Sequence, residues 1–141
     1  MKILLDEAVE IVKSLSEVHL NYLSLIFLCK QTKMNGINSI ESLKEHCEYI
    51  CAKMPVTNGI ESSIPFLHML RLLTISLGSA AEVYSKQYNL DIDKVKEILP
   101  LAMNGIPGDY SLTPVGIIIA IINIRNKTNL NLDFKIWIKS I

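Results

Sequence analysis

Residues 63–88 read SIPFLHMLRLLTISLGSAAEVYSKQY, and the fold turns on how they are read. Phe66, Leu70, Leu73, Leu77, Ala81 and Tyr84 recur at helical spacing. Pro65 stands just inside a start at Ser63, where a missing N–H costs nothing. Leu67, Met69, Leu72 and Ile75 make the segment apolar on nearly every side as far as Gly78, the pattern of a helix surrounded by others. Gly78 with Ser79-Ala80-Ala81 offers a neighbouring helix a close approach. The expectation is one buried central helix from Ser63 to about Tyr88.

Before it, Leu4, Ala8, Ile11, Leu15, Val18, Tyr22, Leu25 and Cys29 step by fours and threes, with no Gly or Pro from residue 3 to 32. They predict a long first helix, roughly 45 Å at 1.5 Å per residue. Ser14 and Glu17 have capping-box spacing, which allows a kink near Ser14-Leu15-Ser16. Beyond Leu20 the stripe widens to Leu23, Ile26, Phe27 and Leu28, so the second half is wrapped on more sides. After the Asn35-Gly36 turn, Asn38 is a cap for a second helix whose core stripe is Ile40, Leu43, Cys47, Ile50 and Met54, ended by Pro55.

After it, Asn89 ends the central helix, Asp91 caps the next, and Pro100 kinks or ends that one. Residues 104–112 are the most loop-like in the chain. Thr113-Pro114 is an N-cap with proline at the first helical position. The isoleucine-rich run that follows also suits a buried strand, but cap chemistry and length predict a helix to about Asn126. Leu130, Leu132, Phe134, Ile136 and Ile138 alternate like a strand, whereas Asp133 followed by Phe134, Trp137, Ile138 and Ile141 suits a short helix; the helix is preferred because a lone strand has no partner.

The composition bounds the function. The chain has 141 residues, half of them apolar, which suits one helical domain over 1–141 rather than a disordered chain. Fourteen basic and fourteen acidic residues cancel, against the basic excess of general nucleic-acid binders. Three cysteines without framework spacing suit a reducing cytoplasm. The amino terminus lacks signal-peptide character, and the apolar window Ile64–Ala81 contains His68 and Arg71, so no membrane span is expected.

Few constellations carry chemistry. Cys47 and Cys51 are four apart with His46 adjacent, but His46 points away from Cys47 and no second ligand pair follows; both Cys29 and Cys47 fall on core stripes. HExxH, GxSxG, P-loop and GxGxxG patterns are missing. His68 and Arg71 are three apart in an apolar context. A guanidinium there must meet a carboxylate of a neighbouring helix, reach solvent, or face a ligand or partner. Glu41, Glu45 and Glu48 form an acidic ridge opposite the Cys47 stripe: a solvated face, or a dock for a basic partner. Residues 1–63 carry a net −2 and residues 113–141 a net +3.

Leu112-Thr113-Pro114-Val115-Gly116 resembles the Leu-Thr-Pro-x-Gly step that follows the wing of some winged-helix regulators. The resemblance covers five residues. It implies a basic reading helix upstream, where Asp91–Met103 instead sets Lys94 and Lys96 against Asp91, Asp93 and Glu97.

The reading from sequence is an all-α bundle of five to six helices with a long N-terminal helix and a buried central one. It is not an enzyme and has no cofactor, no metal site and no catalytic residues. It is a cytoplasmic protein-binding domain that touches neither nucleic acid nor membrane. The favoured form is a small bacterial immunity protein or antitoxin that neutralises a cognate protein toxin, with Glu41, Glu45, Glu48, His68 and Arg71 as partner-binding residues. The alternative is a helical transcription regulator, winged-helix or dimeric through the first helix; the third is a ligand-binding or enzymatic bundle using His68 and Arg71.

Overall fold

The computed structural model describes residues 2–57, 59–76, 78–100 and 110–130. The expected loop over 104–112 lies outside these residues as far as 109, and the strand-or-helix question at 131–141 lies outside them entirely. Among the described residues the chain is mostly helical: α1 (Lys2–Val12), α2 (Glu17–Ile26), α3 (Ile40–Lys53), α4 (Ile64–Met69), α5 (Ala80–Tyr88), α6 (Ile92–Ile98) and α7 (Pro114–Lys127). A π-helical segment, Phe27–Gln31, extends α2, and a 3-10 turn, Ile60–Ser63, precedes α4. Two short strands, β1 (Leu73–Ile75) and β2 (Tyr110–Leu112), pair antiparallel with Leu73 opposite Leu112 and Ile75 opposite Tyr110.

The long central helix is therefore not formed. Residues 63–88 divide into a 3-10 turn end, a six-residue helix, a strand and a nine-residue helix. Helix α4 stops at Met69, and Arg71 takes a left-handed conformation with φ 60° that no continuing helix tolerates. Leu72 then enters the ribbon, and Thr74-Ile75 are β-branched residues suited to it. Gly78, with φ 119°, turns the chain rather than receiving a helix. Ser79 caps α5 by accepting from the Glu82 N–H at 3.2 Å.

The first helix also breaks. Ser16, not Ser14, caps α2: its hydroxyl accepts from His19 N–H, and the His19 ring accepts from Ser16 N–H. Ser39 replaces Asn38 as the cap of α3, with Ser42 closing the box. The caps at Asp91 and Thr113 stand where the sequence places them, and residues 114–127 are helical.

The core is centred on α2 and α7. Every residue from Asn21 to Cys29 is buried, as is α7 from Val115 to Ile121. These two helices carry a polar seam through the apolar interior. Asn123 donates to Asn21 Oδ1 at 3.2 Å and to Ser24 Oγ at 2.8 Å; Asn21 donates to the Pro55 carbonyl at 2.9 Å. Lys127 closes the seam on Asn21 at 2.9 Å and on Glu17 at 2.6 Å. The contacts 17 with 127, 21 with 123 and 24 with 120 run α2 and α7 antiparallel. Helix α1 packs on α7, α3 on α6, and α5 on both α6 and the π-segment.

Candidate functional site

The elements α4, β1, α5, α6, β2 and α7 follow in that order among the described residues. Helices α5 and α6 are joined by three residues, Asn89 to Asp91, with Asn89 left-handed at φ 54° and its N–H returned to Ser85 O. A short helix, a three-residue turn and a second helix make a helix-turn-helix connection. Strand β1 precedes this pair in sequence and β2 follows it, and the two strands pair with each other.

The Leu-Thr-Pro-x-Gly step fastens the ribbon to α7. Thr113 N–H donates to Leu72 O at 3.0 Å, and its hydroxyl donates to Arg71 O at 2.6 Å while accepting from Gly116 N–H at 3.3 Å. Gly116 lies against the turn before β1: a β-carbon there would sit 2.6 Å from Leu72 O and 3.3 Å from Leu112 Cβ. Threonine and glycine are thus required by the packing at this corner, independently of any ligand.

The opposite edge of β2 is closed by a side chain. Gln31 Oε1 accepts from Leu112 N–H at 2.5 Å, and its Nε2 donates to Leu112 O at 3.1 Å. Thr113 N–H points at β1, so by antiparallel alternation Leu112's own groups point away from it. Gln31 occupies the place of a third strand. Lys30 donates to Ser76 O at 3.0 Å, Gln87 donates to Thr32 O at 3.2 Å, and Tyr88 accepts from Met34 N–H at 2.8 Å. The π-segment and the stretch after it therefore clamp both ribbon and helix pair.

Of the sequence-derived site residues, Glu41, Glu45 and Glu48 lie exposed on α3, whose other face buries Leu43, Cys47 and Ile50. His68 and Arg71 do not share a helical face. His68 is half-buried on α4 and meets the Tyr110 ring edge-on at 5.0 Å. The Arg71 side chain is exposed, and of the three alternatives the ion pair to a neighbouring helix is not formed among the described residues. Its main chain carries the structural load, through the left-handed turn and the carbonyl that Thr113 grips.

The cysteines are packed in the core or beside it. Cys29 is fully buried and accepts a hydrogen bond from the Tyr84 hydroxyl at 3.4 Å. Burial pushes the thiol of Cys29 far up, that of Cys47 up to about 12 and that of Cys51 up to about 11, all against thiolate formation. Burial also pushes His46 down to about 4, and its Nε2 is buried without a hydrogen-bond partner among the described residues. Among those residues no group of three or more His, Cys, Asp or Glu side chains could hold a metal ion, and no helix is long and apolar enough to cross a membrane.

Sequence reasoning missed Gln31, Tyr110 and the Asn21–Asn123 seam. A polar residue ending an apolar run was the only signal for the first. An asparagine inside the isoleucine run of α7 was the signal for the seam, since a buried amide needs partners.

The chain belongs to the family whose model, described only as ":-like", matches residues 1–100 and 92–138. That description names no activity, ligand or partner. No curated protein matches the chain, and no solved structure does.

Proposed function

We propose that this chain is a non-catalytic protein-binding module acting in the cytoplasm, built on a helix-turn-helix frame of winged-helix order that has been turned away from DNA. The observation that carries the reading is the charge on the second helix of the pair. Lys94 and Lys96 stand against Asp91, Asp93 and Glu97, and residues 64–112 hold four basic and five acidic residues. Phosphate contacts supply most non-specific DNA affinity and need a basic excess. The acidic ridge of α3 supports a basic protein partner instead. It is exposed over about two turns, and its helix is anchored by its opposite face. In its finer form the module is an immunity protein or antitoxin whose partner is the basic nucleic-acid cleft of a toxin.

The test is co-purification with the product of the neighbouring gene, at low and high salt, for the natural chain and for a variant with Glu41, Glu45 and Glu48 all replaced by lysine. Rim charges act mainly on association rate and lose force with salt. Weaker capture by the triple variant at low salt supports the ridge; equal capture removes it and leaves the surface around His68 and Arg71.

A second reading, a winged-helix transcription regulator, draws on the order α4–β1–α5–α6–β2 and on the Leu112–Gly116 step. Its discriminating measurement is duplex DNA binding by fluorescence anisotropy across a salt series. Specific, steeply salt-dependent binding favours it, and no binding at low salt ends it.

A further inference from the structure

Helix α1 buries one side on α7 and leaves an apolar stripe beside that contact. Leu5, Val9 and Val12 follow at i, i+4 and i+7; Leu5 is half-buried, Val9 is 57% exposed and Val12 37%. Exposed β-branched residues spaced along one flank of a short helix are the features of a packing surface rather than of scattered surface residues. The stripe has a polar border on its outer side: Lys2, Asp6 and Lys13, all exposed, at helical spacing with Val9. Lys13 also pairs with Glu10 at 3.2 Å, an exposed contact that leaves its outer side accessible.

This border is self-complementary. Asp6 and Lys13 are seven residues apart, two helical turns, and Val9 lies beside their midpoint. A two-fold axis at Val9, perpendicular to the helix, lays a second α1 antiparallel on the first. Val9 then meets its own copy, each Leu5 nears the other Val12, and each Asp6 faces the other Lys13. A parallel pairing would set aspartate on aspartate. A strongly charged partner would find a border of mixed sign, an aspartate between two lysines. We propose that α1 is a homodimerisation surface, with a second copy of this chain packed antiparallel across Leu5, Val9 and Val12 and locked in register by reciprocal Asp6–Lys13 pairs. Isologous interfaces of this kind repeat the same patch on both partners.

The experiment is sedimentation of the full chain over a concentration series, at low salt. The expected result is a monomer–dimer equilibrium. Val9→Glu should be monomeric with unchanged far-ultraviolet circular dichroism and melting temperature, because the position is exposed. Asp6→Lys and Lys13→Glu should each weaken the dimer about tenfold, through two lost pairs and new repulsion. The double reversal should recover to within about threefold of the natural chain, as coupled partners do. Both charged positions are exposed, so these variants read the interface even if Val9→Glu perturbs folding. A natural chain that stays monomeric at every concentration overturns the proposal. So does a dimer indifferent to Val9→Glu, or a double reversal weaker than either single one.

Discussion

Gln31 and Leu112, far apart in sequence, are joined like neighbouring strands: the carboxamide of one accepts the N–H and donates to the C=O of the other. Both groups face away from β1 and Leu112 is buried, so the side chain is their main partner. Gln31→Leu keeps the bulk and orphans both groups, which should cost about 2 kcal/mol or more in denaturant unfolding. Gln31→Glu can still accept from the N–H but cannot donate to the carbonyl, and should be worse at neutral pH than in acid. Equal stability of all three proteins would show that water replaces the amide.

Gly116→Ala tests the corner between α7 and the ribbon. In an open helix the change gains up to about 1 kcal/mol. Here the added carbon would press on a main-chain oxygen, so the expectation is the opposite sign, a loss of about 1–3 kcal/mol. Thr113→Val, which removes the cap and the grip on Arg71 O, should cost about 1–2 kcal/mol in the same assay.

Arg71 separates a side chain from its main chain. Arg71→Met should leave stability nearly unchanged, because the guanidinium is exposed. Arg71→Gly should stabilise by about 1 kcal/mol or less, since glycine adopts φ 60° without a β-carbon penalty but costs more entropy to order. A large loss from Arg71→Met would restore the ion-pair expectation.

His46 makes the fold sensitive to acid. Its folded pKa lies below the unfolded value of 6.5, at about 4, because burial disfavours the imidazolium. The unfolded chain therefore takes up the proton first. The associated stability is complete above pH 6.5 and is lost as pH falls towards 4, at most about 3 kcal/mol. His46→Leu should flatten the stability profile in that window and leave the protein no less stable at neutral pH, since Nε2 has no partner to lose. A profile of unchanged slope would assign the acid sensitivity to the carboxylates.

Thiol labelling at neutral pH should find the half-buried Cys51 first and the fully buried Cys47 and Cys29 later. Chelator and reductant should leave the melting temperature unchanged. A chelator-induced drop would revive a metal role for Cys47 and Cys51.

These residues also show what the sequence disclosed. Thr113-Pro114, Asp91 and the Pro55 stop were legible because caps and prolines act within one turn of themselves. The Cys47 stripe was legible because α3 has one polar face. Residues 63–88 were not, because an all-round apolar run fits a helix, or a helix and a strand, equally well. What decides is Tyr110–Leu112, a partner no local pattern announces. One local sign pointed the other way: Ser79 stands three residues before Glu82, a start signal inside the supposed helix. The Glu41, Glu45 and Glu48 ridge was readable as exposed, since the opposite face was spoken for. The stripe on α1 was not, because Val9 and Val12 fall beside the Leu4, Ala8, Ile11 and Leu15 stripe and only the finished packing shows how bare they are.

The seam through Asn21, Ser24 and Asn123 has a further consequence. Six of the eight residues from 117 to 124 are isoleucine, so rotating α7 about its axis, or sliding it by a turn, would trade one isoleucine for another at little apolar cost. Such a helix has no intrinsic zero mark. Asn123 supplies one: only a single setting of α7 against α2 finds both Asn21 and Ser24, and every other setting strands amides in hydrocarbon. The asparagine works as the index line of a vernier, and Asn123→Ile should yield a helix pair that is still tightly held but free to settle in more than one alignment, visible as doubled resonances in its methyl spectrum.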